Sequence, residues 1–181
     1  MTSKNTAESY GSVAIALHWL MAIIIITLIA VGFYMGGLPD GDDKWKIYGI
    51  HKATGLIVLC LASFRWYWVL TNPKPKPLEN WSKLDTALSH ATKWILMLMM
   101  LTMPIAGIIM SRASGNAIDF FGLFTIPAFA EKNESLANLA HEAHEIGGIV
   151  IAIIIVLHIL AALKHHFISK DSTLKRMLGK N

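Results

Sequence analysis

Histidine is the residue type in this sequence with the most chemistry to offer, and the chain has eight histidines. His144 and His158 stand fourteen residues apart near the C-terminal end, which on a helix is about 21 Å and nearly four turns. Both imidazoles therefore leave one face of that helix at two separate levels. Two further histidines, His18 and His51, stand near opposite ends of two earlier apolar segments. Because neutral imidazole is a common ligand of iron and other transition metals, these four histidines predict two sites at two depths.

Secondary-structure elements must position these histidines, and the composition indicates that the elements are membrane-spanning helices. The chain of 181 residues is 54% hydrophobic and 15% charged, which is too apolar for an ordinary soluble domain. Runs of about twenty apolar residues are long enough to span a bilayer. Four such runs occur, at about residues 13–35, 47–70, 88–110 and 136–167. The sequence thus predicts an all-α membrane protein, a bundle of four transmembrane helices forming one domain over residues 1–181.

The cysteine content limits which cofactors the chain could bind. The single cysteine, Cys60, excludes a disulfide framework, a thiolate zinc site and an iron–sulfur cluster. No C-x-x-C-H segment occurs, so any haem is held without thioether bonds. Two haems, each between two of the four histidines, fit this pattern. Zinc or copper is a rival use of histidine clusters, but it fits poorly because the two levels are about 21 Å apart and no acidic residue lies at mid-depth.

Orientation follows from lysine and arginine, which are enriched on the cytoplasmic side of membrane proteins. With the N-terminus inside, eleven of the sixteen basic residues fall inside and five fall outside. The inside set is Lys4, Arg65, Lys74, Lys76, Lys83, Lys93, Lys164, Lys170, Lys175, Arg176 and Lys180. The outside set is Lys44, Lys46, Lys52, Arg112 and Lys132. Both termini are therefore predicted to be cytoplasmic, and the net charge of +4 reflects basic loops rather than nucleic-acid binding.

The connection between the third and fourth spans contains an apolar segment from Ala117 to Phe124. The segment is too short to cross a bilayer. It predicts a short interfacial helix that lies over the outer mouth of the bundle.

Depth then pairs the histidines. His18 is expected to face His158 on the inner side, and His51 to face His144 on the outer side. Gly55 follows His51 by four residues and leaves out a side chain on the same helix face, where a flat macrocycle could approach the backbone.

Charged residues near these levels are candidates for the haem propionates. Arg65 is fourteen residues after His51, on nearly the same face at the inner end. A propionate there would neutralise a costly intramembrane charge. Arg112 and Lys52 are the corresponding candidates on the outer side.

Two other histidines have open roles. His141 lies about one turn before His144 and is either an alternative outer ligand or a surface residue. His165 lies two turns after His158 and shares its face at the inner membrane surface. There it could hydrogen-bond or deliver a proton to a quinone, or it could lie at the interface as a snorkelling side chain.

Ordered motifs along nearly the whole chain resemble those of bacterial cytochrome b561, the small four-helix di-haem proteins of the inner membrane. The motifs are Ala16-Leu17-His18-Trp19-Leu20, Ile50-His51-Lys52-Ala53-Thr54-Gly55, Arg65, Pro73-Lys74-Pro75-Lys76-Pro77, Met103-Pro104-Ile105-Ala106-Gly107, His144-Glu145, His158, Lys164-His165-His166-Phe167 and Lys170-Asp171-Ser172-Thr173-Leu174.

The resemblance implies a site and an activity. It implies that the four paired histidines are axial ligands of two non-covalent haem b groups, and that the chain is close to the branch described as superoxide oxidase. In that branch superoxide gives up an electron at the outer side, and ubiquinone is reduced near the inner side of the bacterial inner membrane. His165 matches the position of a histidine near the quinone. The implied enzyme is a superoxide:ubiquinone oxidoreductase.

Two other classes of function stay open. The chain could be an electron-transfer cytochrome b subunit or a partner of a respiratory dehydrogenase, since the acidic outer loop with Asp40, Asp42 and Asp43 could dock a basic donor. It could also be a non-redox membrane module such as a metal carrier. The expected partners are the lipid bilayer, ubiquinone, and either superoxide or a periplasmic redox donor.

Overall fold

Four long helices make up most of the protein. The computed structural model describes residues 2–78 and 81–180, so positions 1, 79–80 and 181 of the predicted domain lie outside the described residues. The helices are α1 (Ser12–Gly36), α2 (Asp42–Thr71), α3 (Lys83–Ala113) and α4 (Glu134–Phe167). In the part of the chain that the structure describes, these four helices are long and apolar enough to cross a membrane. The all-α class and the four predicted spans are confirmed.

Each helix extends beyond the apolar run that predicted it, and polar side chains cap the starts of α3 and α4. At the start of α3, Ser82 Oγ accepts a bond from the Asp85 amide while the Asp85 carboxylate accepts one from the Ser82 amide, a capping box. At the start of α4, Asn133 Oδ1 accepts a bond from the Leu136 amide at 2.9 Å. Helix α2 ends just before Pro73, which disfavours helical backbone in the residue preceding it.

The helices do not pack evenly around the bundle. Helix α1 packs on α2, α2 on α3 and α3 on α4, whereas α4 touches α1 only slightly. The buried cluster of Met21, Ala62, Met97 and Met100 joins α1, α2 and α3. The Trp66 indole also donates to the Met97 carbonyl at 2.8 Å. As a result, α4 stands away from α1 on the side that carries the histidines.

Both termini and the α2–α3 connection meet at one end of the bundle, called here the terminal end. The Trp19 indole of α1 donates to the Met177 carbonyl at 2.7 Å, at the close of the short helix α5 (Thr173–Met177). The Asn5 amide donates to the Pro73 carbonyl at 3.0 Å. This arrangement is the one that four spans require, and the assignment of the terminal end to the cytoplasm stays a prediction.

The opposite end, called here the hairpin end, corrects one prediction. The segment expected to form an interfacial helix is a β-hairpin, in which β1 (Ile118–Phe120) pairs antiparallel with β2 (Phe124–Ile126). Phe121 and Gly122 have φ angles of 52° and 75°, and the Leu123 amide donates to the Phe120 carbonyl at 2.9 Å. Two successive residues with positive φ close a tight hairpin turn and cannot continue a right-handed helix. The prediction of a helix over residues 117–124 was wrong because the apolar composition outweighed the turn signal of Gly122.

Candidate functional site

The four candidate histidines form two facing pairs, one near each end of the bundle. Towards the terminal end, the ring centres of His18 and His158 are 6.2 Å apart and the ring planes meet at 64°. Towards the hairpin end, the ring centres of His51 and His144 are 6.3 Å apart with the planes at 78°. These are the pairs that depth along the helices predicts, and α4 contributes one ring to each.

The ring separations fit two imidazoles that share one metal. A metal–nitrogen bond to imidazole is about 2 Å long, so two imidazoles on opposite sides of one metal ion have ring centres roughly 6 Å apart. Within residues 2–78 and 81–180, no group of three or more His, Cys, Asp or Glu side chains converges on one point. Each pair therefore offers two facing imidazoles, which is the ligand set that a bis-histidine haem takes from a protein.

The hairpin-end pair opens into a large apolar cavity. The cavity has a volume of about 800 Å³ and is lined from α1, α2, α3 and α4, within the usual size range of cofactor sites. Gly55 and Gly148 both line it. A Cβ atom built on either glycine would meet no atom within 4 Å. The two missing side chains therefore leave open space beside the histidines, which suits a flat group lying close to the backbone.

The backbone of α3 holds the ring of His144. The Nδ1 atom of His144 lies 3.0 Å from the carbonyl oxygen of Met103. Because a carbonyl only accepts hydrogen bonds, His144 Nδ1 carries the hydrogen and Nε2 is the nitrogen left to bind a metal. One turn along, a Cβ on Gly107 would lie 3.2 Å from the His144 ring, so the glycine makes room for the ring.

The ring of His51 is held by packing alone. Its Nδ1 atom is buried and has no hydrogen-bond partner among the described residues. A Cβ atom on Gly32 would lie 3.6 Å from the ring, an ordinary contact distance. An unpaired nitrogen in an apolar cavity is costly unless a ligand or water satisfies it, and this orphaned atom agrees with a site built for a bound group.

Arg65 contacts His18 directly. The guanidinium Nη2 lies 3.3 Å from His18 Nδ1, and Nη1 lies 4.0 Å from the Met21 sulfur. Because a guanidinium only donates, Nδ1 accepts this bond and the neutral ring carries its hydrogen on Nε2. A ring that binds iron through Nε2 carries its hydrogen on Nδ1 instead, so this bond and ligation through Nε2 exclude one another. Arg65 therefore lies at the level that the sequence predicts. Its hydrogen bond to His18 Nδ1 would be lost if His18 bound iron through Nε2.

Two basic residues predicted for the outer site have different surroundings. The Arg112 Nε donates to the Pro127 carbonyl at 2.8 Å, and its guanidinium stacks on Phe129 at 4.5 Å. These contacts direct Arg112 to the loop after the hairpin, and it is not among the residues that line the cavity. Lys52 does line the cavity and lies 3.3 Å from Ser111 Oγ.

His141 is a surface residue in the structure. Its side chain is 63% exposed, and Nε2 lies 3.6 Å from the Glu145 carboxylate. The ring lies at the rim of the cavity while His144 occupies the position facing His51. Of the two roles that the sequence leaves open for His141, the structure agrees with the surface role.

A polar cluster that the sequence did not predict surrounds His165 at the terminal end. The Nδ1 atom of His165 lies 2.6 Å from Asp171 Oδ2. The Trp81 indole N–H donates to the same oxygen at 3.3 Å, and its ring lies 5.2 Å from the His165 ring. Burial tends to raise the pKa of Asp171, but hydrogen bonds from Thr173 and His165 outweigh it and hold that pKa below its ordinary value. The only sequence signal was the position of an acid just past the end of the last apolar run.

Comparisons with known proteins agree with this geometry. A family model described as prokaryotic cytochrome b561 matches residues 9–180. Cytochrome b561 homolog 2 of Escherichia coli strain K12 is 36% identical over 182 residues, covering 100% of this chain and 97% of the relative. A probable superoxide oxidase, CybB, of Yersinia pestis is 30% identical over 173 residues, with 96% and 97% covered. Cytochrome b561 homolog 1 of Escherichia coli strain K12 is 27% identical over 173 residues, with 93% and 96% covered.

Proposed function

This chain belongs to the prokaryotic cytochrome b561 family, and from that premise we propose that it oxidises superoxide on one side of the bacterial inner membrane and reduces ubiquinone on the other. Membership makes it a multi-pass membrane protein that transfers electrons and uses b-type haem. The proposal adds the number of haems, the four histidines that hold them, and the two substrates.

One observation carries the proposal more than any other. Two opposed histidine pairs lie near opposite ends of the bundle, with ring centres 6.2 Å and 6.3 Å apart. We propose that His51 and His144 hold one non-covalent haem b and that His18 and His158 hold a second. The levels of His144 and His158 are about 21 Å apart along α4, which is a large part of a bilayer core about 30 Å thick. Two redox centres at these depths connect the two membrane surfaces.

The proposed reaction balances with simple stoichiometry. Oxidation of superoxide to dioxygen releases one electron, and ubiquinone takes up two electrons and two protons to become ubiquinol. Two superoxide anions are therefore consumed for each quinone. A b-type haem, when bound at each histidine pair, supplies a reversible one-electron couple.

The chain's own residues orient the ligands and handle charge and protons. The Met103 carbonyl keeps the hydrogen of His144 on Nδ1 and leaves Nε2 unprotonated for the metal. Arg65 supplies a positive charge beside His18 and is the proposed partner of a propionate. Lys52, at the wall of the outer cavity, is the cation that a small anionic substrate would meet there. His165 is the proposed quinone contact or proton donor at the terminal end.

The excess of basic residues supports the proposed direction. Eleven of sixteen lysines and arginines belong to the half that contains the termini, which places that half in the cytoplasm by the positive-inside rule. The hairpin end then faces the periplasm. Superoxide, as an anion, crosses an apolar core poorly and would be collected on that outer side.

A superoxide pulse tests the proposal. Haem-loaded protein in detergent is mixed with superoxide in a stopped-flow spectrometer, and the reduced haem bands are followed. We expect superoxide to reduce the haems on the stopped-flow time scale and superoxide dismutase to suppress that reduction. Adding a short-chain ubiquinone should then reoxidise the haems. Reduction that is equally slow with and without dismutase would exclude superoxide as the donor.

A second function is favoured by a specific observation. The similarity to cytochrome b561 homolog 2, at 36%, is higher than that to the probable superoxide oxidase, at 30%. The first turn of α2 also carries Asp42 and Asp43, and the Asp43 side chain is 96% exposed. These acids could dock a basic protein donor, which would make the chain an electron-transfer partner of a dehydrogenase. Stable co-purification with such a donor, together with slow reduction by superoxide, would favour this alternative.

A further inference from the structure

At the terminal end, both carboxylate oxygens of Asp171 accept hydrogen bonds. Its Oδ1 accepts a bond from the Thr173 amide at 2.9 Å, and its Oδ2 accepts from His165 at 2.6 Å and from Trp81 at 3.3 Å. The side chain is only 3% exposed. A buried carboxylate is costly unless its hydrogen bonds are satisfied, so this acid is held in one defined position.

The backbone brings the acid back to the histidine. After α4 ends, Lys170 adopts a left-handed φ of 54°, which is uncommon for a residue other than glycine. The amide of Asp171 then donates to the carbonyl of His165 at 3.1 Å. The acid and the imidazole are thus connected twice, once through the backbone and once through the side chains.

The contact determines which nitrogen of His165 exchanges a proton. Among the described residues, Asp171 is the acid in contact with this ring, and the neighbouring Lys164 pairs instead with Asp85 at 3.5 Å. Since an ionised carboxylate only accepts hydrogen bonds, His165 Nδ1 carries a hydrogen in both charge states of the ring. Nε2 is then the nitrogen that gains and loses a proton.

We propose that Asp171 is a positioning residue for quinone reduction, which fixes the orientation and tautomer of His165 so that Nε2 delivers a proton to the reduced quinone. This inference rests on the proposed function, which puts the quinone near His165. In the step, the Nε2–H bond breaks and a quinone O–H bond forms, and His165 returns to its neutral form with Nδ1 still bonded to Asp171. Each passage supplies one of the two protons that ubiquinol requires.

Reoxidation kinetics test the inference without superoxide. Haem-loaded protein is reduced with a stoichiometric amount of dithionite and mixed with increasing concentrations of a short-chain ubiquinone, and the loss of the reduced haem bands is recorded. Asp171→Asn is expected to lower the limiting rate about tenfold or more and to leave the half-saturating quinone concentration nearly unchanged. Asp171→Glu, which restores a carboxylate, should recover much of the limiting rate.

Two controls separate positioning from general damage. Asp85→Asn makes the same chemical change at the same end of the bundle without touching His165, so its limiting rate should match that of the wild type. In a His165→Ala background, Asp171→Asn should slow the reaction no further, since residues that act through one another are non-additive. Haem content is measured for each variant, and if Asp171→Asn does not retain haem, the smaller Asp171→Ser replaces it.

The possible results separate the role of Asp171 from the proposed quinone contact of His165. If Asp171→Asn reoxidises like the wild type while His165→Ala is slow, Asp171 has no positioning role and the quinone contact stands. Equal slowing by Asp171→Asn with and without His165 also overturns the inference. If His165→Ala itself reoxidises normally, the proposed quinone contact fails together with it. If reduced wild-type protein is not reoxidised by the quinone, the proposed acceptor is wrong.

Discussion

At the scale of single residues, the two histidine pairs are held in different ways. His144 donates through Nδ1 to a backbone carbonyl, whereas His18 accepts at Nδ1 from the Arg65 guanidinium. His51 has no such partner among the described residues. If His144 binds haem iron as proposed, its Nε2 is already free to do so, and the hairpin-end site should depend most on the groups that position this ring.

Gly107 tests that dependence. In Gly107→Ala, the new Cβ would lie 3.2 Å from the His144 ring, tighter than an ordinary contact, so the ring must shift by a few tenths of an ångström. We expect a lower haem content at the hairpin-end site and an altered spectrum of the haem that remains. Gly49→Ala is the control, because Gly49 lies in α2 outside the cavity lining and its Cβ would meet no atom within 4 Å. Equal haem content in the two variants would show that the contact on His144 is unimportant.

Asp171 gives a pH prediction. Its hydrogen bonds hold the pKa of the Asp171 carboxyl below the ordinary value, so the ionised acid stabilises the fold at pH values above about 4. That stabilisation is lost as the pH falls through the lowered pKa. The difference in thermal unfolding midpoint between the wild type and Asp171→Asn should therefore be largest near neutral pH and shrink in acid. A difference that stays constant from neutral pH down to pH about 3 would contradict it.

Individual residues show the limits of sequence reasoning at this scale. Spacing along helices predicted which histidines face each other, because helical rise fixes depth. It could not predict that Asp171 returns to His165, since that contact depends on a left-handed residue in an irregular segment. The contact of Trp81 with Asp171 could not be predicted either, because composition indicates that an indole lies near the interface but not which acid it meets.

At the scale of elements, the uneven packing of the helices matters most. The tight contacts run from α1 through α2 and α3 to α4, and the space between α4 and the first two helices holds the histidines. A four-helix pattern in the sequence predicts the elements and their lengths. It does not predict that α4 packs on α3 and only slightly on α1, because contacts between helices depend on how their faces fit together.

The hairpin turn contains a backbone conformation that should cost free energy for any residue other than glycine, and this cost can be measured. Gly122 has a φ of 75°, so Gly122→Ala should destabilise the protein by about 1 kcal/mol or more. Gly49→Ala is the control, because Gly49 lies inside α2 with open space around it and alanine there should be neutral or stabilising. Thermal unfolding of the haem-loaded protein measures both changes. A stable Gly122→Ala variant would show that the turn can rearrange without cost.

At the scale of the whole molecule, the two ends of the bundle are chemically different. The hairpin end has a cavity of about 800 Å³ beside its histidine pair, and the terminal end carries the termini, α5 and the cluster of His165 and Asp171. A membrane protein with one site near each surface is suited to carrying electrons between two compartments. The direction of that transfer depends on which end faces the cytoplasm.

Cysteine labelling tests the orientation. In a Cys60→Ser background, a cysteine is introduced either by Lys180→Cys at the terminal end or by Asn116→Cys at the hairpin end. A membrane-impermeant maleimide should label the first only in inverted membrane vesicles and the second only in right-side-out vesicles. The reverse pattern would place the termini in the periplasm and reverse the proposed direction of electron transfer.

The central claim is that each histidine pair holds its own haem, and the haem-to-protein ratio of paired histidine variants tests it most directly. The wild type should contain two haems per chain with low-spin spectra. His51→Ala and the double variant His51→Ala/His144→Ala should each retain one haem, since both changes fall in one site. The double variant His51→Ala/His158→Ala, which breaks both sites, should retain none. Loss of both haems in the His51→Ala/His144→Ala variant, or retention of one in His51→Ala/His158→Ala, would contradict the pairing.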